Sequence, residues 1–109
     1  VITLNGSTLG ALETLTVNGS AGVTWTGANG ATITAINTSG TTGASTLTMD
    51  ASKATFTGGA GADSITLSST TVSKAVNTGA GNDTVTLAAG TTSLTENIVA
   101  GEGTDALSM

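Results

Sequence analysis

The chain contains no arginine, histidine, cysteine, proline, tyrosine or glutamine. Each absence removes a class of chemistry. Without histidine or cysteine there is no Ser-His or Cys-His nucleophile and no histidine-based metal site, so the residues point away from an enzyme. Without cysteine there is no disulfide framework. Lysine, present twice against seven acids, is the only cation, and a net charge of −5 disfavours nucleic acid as a partner. No apolar run approaches the roughly 20 residues of a membrane-spanning helix, which argues against membrane insertion. Residues 1–4 (VITL) read as a strand, not as the basic and then apolar start of a signal peptide, as expected of a mature protein or an excised segment.

What is present is a narrow set. Of 109 residues, 36 are Ser or Thr, 16 are Gly and 7 are Asn, while charged residues make up only 8%. Thr, Val and Ile favour strands, Gly and Asn favour turns, and so few Lys and Glu give little support to exposed helices. The expectation is one all-β domain over residues 1–109, with no composition shift to divide it.

The order of these residues is periodic. Segments 56–67 (FTGGAGADSITL), 76–87 (VNTGAGNDTVTL) and 98–109 (IVAGEGTDALSM) align without a gap. Their columns pair Phe56 with Val76 and Ile98, Ile65 with Val85 and Leu107, and Leu67 with Leu87 and Met109. Glycines recur as Gly59, Gly79 and Gly101 and as Gly61, Gly81 and Gly103, and acids as Asp63, Asp83 and Asp105. A repeat this short cannot bury its own core, so it must stack on its neighbours. The apolar residue before each loop and the alternating pair after it have the period of half-buried strands. Stacked at about 4.8 Å, equivalent residues become ladders, and Phe56, Ile65, Leu67, Val76, Val85, Leu87, Ile98 and Leu107 are expected to point inward. An antiparallel sandwich is the rival architecture, but it does not bring like residues into three gapless columns.

The first half repeats more weakly. Segments 14–16, 24–26, 32–36 and 46–49 read as strands, separated by turns at Asn18-Gly19 and Asn29-Gly30 and by a loop over 39–44. Leu9, Leu12 and Leu15, at spacing three, allow one helical turn instead, although the flanking Thr and Gly favour strands.

The loops 58–63 (GGAGAD), 78–83 (TGAGND) and 100–105 (AGEGTD) resemble the nonapeptide GGxGxDxUx of RTX proteins, a calcium-binding repeat of right-handed parallel β-rolls. The first loop matches through Gly58, Gly59, Gly61, Asp63 and Ile65, whereas Thr78 and Ala100 replace the first glycine of the other two. The physical reading agrees: calcium takes 6 to 8 oxygen ligands from carboxylates and carbonyls, and glycines let the backbone bring carbonyls close. One loop has too few oxygens, so an ion would lie between two stacked loops. Three loops then make two sites, one between Asp63 and Asp83 and one between Asp83 and Asp105, with Gly59, Gly61, Gly79, Gly81, Gly101 and Gly103 forming the walls. Because the motif recurs every 20 or 22 residues instead of every nine, it lines one edge, and plain turns at 67–72 and 88–93 close the other. Residues 1–53 are then degenerate, metal-poor coils and 54–109 the calcium-binding ones.

This interrupted spacing and the Thr-, Ala- and Gly-rich composition are similar to bacterial surface-layer proteins and large secreted adhesins. The resemblance implies a secreted, calcium-stabilised structural segment at the cell surface that self-assembles with copies of itself, as a layer or a filament. A module for cell-surface glycan is a rival, but aromatic platforms are scarce, with one Trp and one Phe. Asp50, Glu13 and Glu96 lack glycine context and read as solvated surface. Thr-x-Thr triplets with an apolar centre begin at Thr14, Thr24, Thr32, Thr46, Thr55 and Thr84. They suggest an ice-binding face, but intervals of 10, 8, 14, 9 and 29 are too irregular for one face, which leaves β-propensity as the explanation.

Overall fold

The computed structural model describes residues 1–5, 10–26 and 32–109. In chain order these form β1 (Ile2–Asn5), β2 (Thr14–Gly19), β3 (Val23–Thr26), β4 (Ala35–Thr41), β5 (Thr46–Met49), β6 (Thr55–Thr57) and β7 (Ser64–Leu67). They continue as β8 (Thr71–Val72), β9 (Val76–Asn77), β10 (Thr84–Thr86), β11 (Ser93–Leu94), β12 (Ile98–Val99) and β13 (Ala106–Ser108). Neighbours in each sheet are not consecutive in sequence. Sheet one runs β1-β3-β5-β7-β10-β13, sheet two runs β2-β4-β6-β9-β12, and β8 pairs with β11 in a short third ladder. Every pairing is parallel, so each step along a sheet is one full circuit of the chain. The architecture is a right-handed parallel β-solenoid. Parallel pairing of Ile65 with Val85 excludes the sandwich.

Alternation of side chains builds the core. Along β5, Thr46 and Thr48 face out while Leu47 and Met49 are buried, and β7 repeats this with Ser64, Ile65, Thr66 and Leu67. Register then stacks Leu4, Trp25, Leu47, Ile65, Val85 and Leu107 into one column. From sheet two, Leu15, Ile36, Phe56, Val76 and Ile98 form the facing column. Each fully buried side chain of this size contributes roughly 1.5–3 kcal/mol relative to exposure. Of the residues expected inward, Phe56, Ile65, Leu67, Val76, Val85 and Leu87 are buried and Ile98 packs partly buried against them. Leu107 differs. It has the inward register but is 59% exposed, because no coil lies on its outer side to cover it. Among the described residues no helix is long and apolar enough to cross a membrane.

Several local expectations are corrected. Asn18-Gly19 is not a turn: both residues lie in β2 and pair with Gly40 and Thr41 across a bulge, with Gly19 at φ 121°. The strand expected over 32–36 begins only at Ala35, because the Thr32 hydroxyl donates to the Gly10 and Leu12 carbonyls and that of Thr34 to Glu13, tying them to the corner. Ser39, Gly40 and Thr41, expected as loop, belong to β4, so the turn is shorter. The edge opposite the glycine loops is not only turn, since β8 and β11 pair along it. Leu15 lies in β2 and not in a helical turn, while Leu9 and Asn29-Gly30 lie outside the described residues.

Candidate metal centre at the glycine corner

Each circuit turns from sheet two to sheet one through one corner. Residues 20–22, 42–45, 58–63, 78–83 and 100–105 occupy it in successive coils. The three glycine loops therefore stack on one edge, as their spacing implies. Backbone bonds tie them: Ala60 N–H donates to the Thr41 carbonyl (3.0 Å), Ala80 to Gly59 (2.8 Å) and Glu102 to Gly79 (3.0 Å). The carbonyls of Gly59 and Gly79 thus keep one lone pair each for any further ligand.

The glycines serve two needs. Gly79 and Gly81 have φ of 97° and 130°, and Gly101 and Gly103 repeat the pattern at 88° and 139°, a backbone region that L side chains rarely adopt. Gly59 and Gly61 do not use that region. They need glycine because a Cβ there would run into the backbone of the preceding coil, at Thr41 and Gly43 respectively. Thr78, in place of the first motif glycine, is fully buried and its hydroxyl donates to the Ala100 carbonyl (2.9 Å).

The aspartates form a directional ladder. Asp63 Oδ1 accepts the Ser45 N–H (2.7 Å), Asp83 Oδ1 accepts the Asp63 N–H (2.8 Å) and Asp105 Oδ1 accepts the Asp83 N–H (3.0 Å). One coil earlier Ser45 Oγ accepts the Val23 N–H at 3.4 Å, so the column extends into the weakly repeating half. Ser45 lies 18 residues before Asp63, off the 20- and 22-residue spacing of the aspartates, and no sequence signal marks it. Each side chain takes the place of a backbone carbonyl where the loop departs from strand geometry, satisfying a buried N–H.

Only half of each inner carboxylate is used. Asp63 and Asp83 are each 1% exposed, and Oδ2 of both is buried with no hydrogen-bond partner. Burial pushes the Asp63 carboxyl above its ordinary value; the Ser45 N–H pulls it down, the Asp83 charge pushes it up, and the Gly59 N–H and Ser45 hydroxyl pull down more weakly. Two buried carboxylate oxygens on adjacent coils, unpartnered, are costly as they stand and suit a hard cation. Among the described residues no three acids, histidines or cysteines converge as a metal site, so the rest of such a ligand set must be loop carbonyls or water. Asp105 differs from its two counterparts in being only half-buried.

Asp50, expected on the solvated surface, instead organises the turn after β5. Its Oδ1 accepts the Ser52 N–H (2.9 Å) and hydroxyl, Oδ2 meets Lys53 Nζ at 3.6 Å, and its carbonyl accepts from Lys53 and Ala54. Burial raises its pKa, yet the Ser52 bonds, Ser69 and Lys53 outweigh this and hold it below the ordinary value. Trp25 and Phe56 are both buried, so no aromatic platform for a sugar ring exists. No family model, curated protein or solved structure matches the chain.

Proposed function

We propose that the chain is a structural, non-catalytic β-solenoid segment of an extracellular self-assembling protein, a filament or adhesin subunit or a surface-layer element, in which calcium stabilises the coils. The unpartnered Oδ2 atoms of Asp63 and Asp83 carry the calcium part. Asp63 and Asp83 would hold one ion and Asp83 and Asp105 a second, with carbonyls from the loops of Gly59, Gly61, Gly79, Gly81, Gly101 and Gly103 completing the shell. Calcium supplies positive charge that offsets the repulsion and desolvation of these carboxylates, so metal binding contributes folding free energy. Calcium is plentiful outside cells, which suits a coil that folds after export.

Assembly rests on the two open ends. β1 and β13 are the end strands of sheet one, with Ile2 exposed at one end and Leu107 and Met109 at the other. Beside β13 an open recess of about 190 Å³ is lined by Val85, Ile98, Ala100, Asp105, Ala106 and Leu107. A parallel coil, from a longer chain or from a second molecule, would extend both sheets and fill it. Light scattering with and without calcium tests this reading. Growth in particle size on adding calcium, reversed by chelator, is expected; a monomer of constant size at high concentration with calcium present would refute assembly by the isolated chain.

A further inference from the structure

The Thr-x-Thr triplets separate onto different surfaces. Those at Thr14 and Thr55 belong to sheet two, and the one at Thr32 lies at a corner with both hydroxyls bonded to the preceding coil. The triplets at Thr24, Thr46 and Thr84 lie on sheet one, in direct register with Thr3-Leu4-Asn5, Ser64-Ile65-Thr66 and Ala106-Leu107-Ser108. The irregular intervals along the sequence mix these surfaces and also include variation in corner length. On sheet one that variation is absorbed outside the strands.

The outer face of sheet one is therefore a lattice of hydroxyls. One column is Thr3, Thr24, Thr46, Ser64 and Thr84, ending in Ala106; two residues along, Asn5 lies on the first strand and Thr48, Thr66, Thr86 and Ser108 form a continuous column. Its repeats are about 4.8 Å between strands and roughly 6.6 Å along them. β-propensity alone does not account for it, because sheet two has the same backbone and its outward columns are mixed: Thr14, Ala35 and Thr55 in one, and Thr16, Asn37, Thr57, Asn77 and Val99 in the other. The face carries no charge, since none of the chain's nine charged residues lies on a strand, those of sheet one included. Threonines elsewhere donate to backbone carbonyls, as Thr38 and Thr41 in β4 and Thr78, Thr91 and Thr95 at the corners do. On the sheet one face the single hydroxyl bond among the described residues is between two members of the lattice, Thr86 and Ser108, at 3.1 Å.

We propose that this face binds ice. A rigid array of hydroxyls and methyls without charge or aromatic rings suits a flat, uncharged, periodic, hydrogen-bonding surface. The prism faces of hexagonal ice are such a surface, with repeats of similar size. The hydroxyls anchor a first layer of ordered water, and the β-branched side chains, restricted at χ1, hold it in place without much loss of entropy. A crystalline polysaccharide would need an aromatic platform that the face lacks.

The test is ice shaping and freezing-point hysteresis of the whole chain, folded by the criterion of its circular dichroism. Faceted crystals and a measurable freezing gap are expected. Thr66→Tyr and Thr46→Lys, both at exposed positions in the middle of the face, should each lose most of the gap without changing the spectrum or melting temperature. Thr57→Tyr, exposed on sheet two, should keep it. Unshaped crystals with the folded wild-type chain would overturn the proposal, as would equal loss in Thr57→Tyr or retention to insoluble cellulose or chitin with no effect on ice. The readout is independent of calcium binding, so either reading can fail alone.

Discussion

Asp83 lies at the centre of the ladder, and two substitutions separate its two roles. Its Oδ1 accepts the buried Asp63 N–H at 2.8 Å, while its Oδ2 is buried and unpartnered. Asp83→Ala removes the acceptor and leaves the Asp63 N–H orphaned, which costs about 1–3 kcal/mol. At roughly 4–8 °C per kcal/mol for a domain near this size, the midpoint should fall by roughly 5–20 °C, in chelator as well as in calcium. Asp83→Asn keeps an acceptor for that N–H and removes the charge that raises the Asp63 pKa. In chelator its midpoint should equal or exceed that of the wild type. In calcium it should lose the metal-linked increment, about 2.7 kcal/mol at a calcium concentration of 100 times Kd. Thermal melts of the three proteins by circular dichroism, each with chelator and with calcium, give the six midpoints required. An Asp83→Ala midpoint within a degree or two of wild type in chelator would refute the ladder. Equal calcium responses of Asp83→Asn and wild type would refute the shared metal site.

Further expectations concern pH, backbone and core. In chelator, the raised folded-state pKa of Asp63 favours the folded protein most below the ordinary carboxylate value; this stability is lost as pH rises through the raised value, so denaturant midpoints should fall over that window and calcium should restore them. Gly81→Ala places a Cβ at φ 130° and 2.6 Å from the Gly61 carbonyl, and should cost more than about 1 kcal/mol in a urea melt. Ile65→Ala, at a fully buried position, should cost about 2–5 kcal/mol, while Leu107→Ala, at the uncovered end of the same column, should cost less than about 1 kcal/mol in the monomer. If coils stack end to end under assembly conditions, the Leu107→Ala cost should rise toward the Ile65 value.

The architecture was legible because the period is visible wherever glycine loops mark the corners. Phe56, Val76 and Ile98, equivalent in the three gapless segments, are the residues that pair across sheet two. Where the corners lack that mark, local rules failed: Asn18-Gly19 has turn chemistry, yet five paired positions between β2 and β4 absorb it as a bulge. Burial at the last coil was not legible from alternation, since Leu107 has the pattern of Val85 and differs only in having no neighbour outside it. The aspartates were visible as an acid column. Their hydrogen bonds to N–H groups one coil back were not, because that role depends on the loop leaving strand geometry just before Asp63 and Asp83. The hydroxyl lattice was hidden for a different reason: linear intervals between triplets do not distinguish two sheets that alternate along the chain.

Isothermal titration of calcium into the chelator-treated chain, with the melting midpoint followed alongside, tests most directly whether the paired acids of adjacent coils hold a cation. Saturable binding that approaches two ions per chain is expected, with a midpoint that rises with free calcium as linkage requires. Absence of binding heat together with an unchanged midpoint up to millimolar calcium would contradict it, and the aspartates would then serve only as hydrogen-bond acceptors between coils.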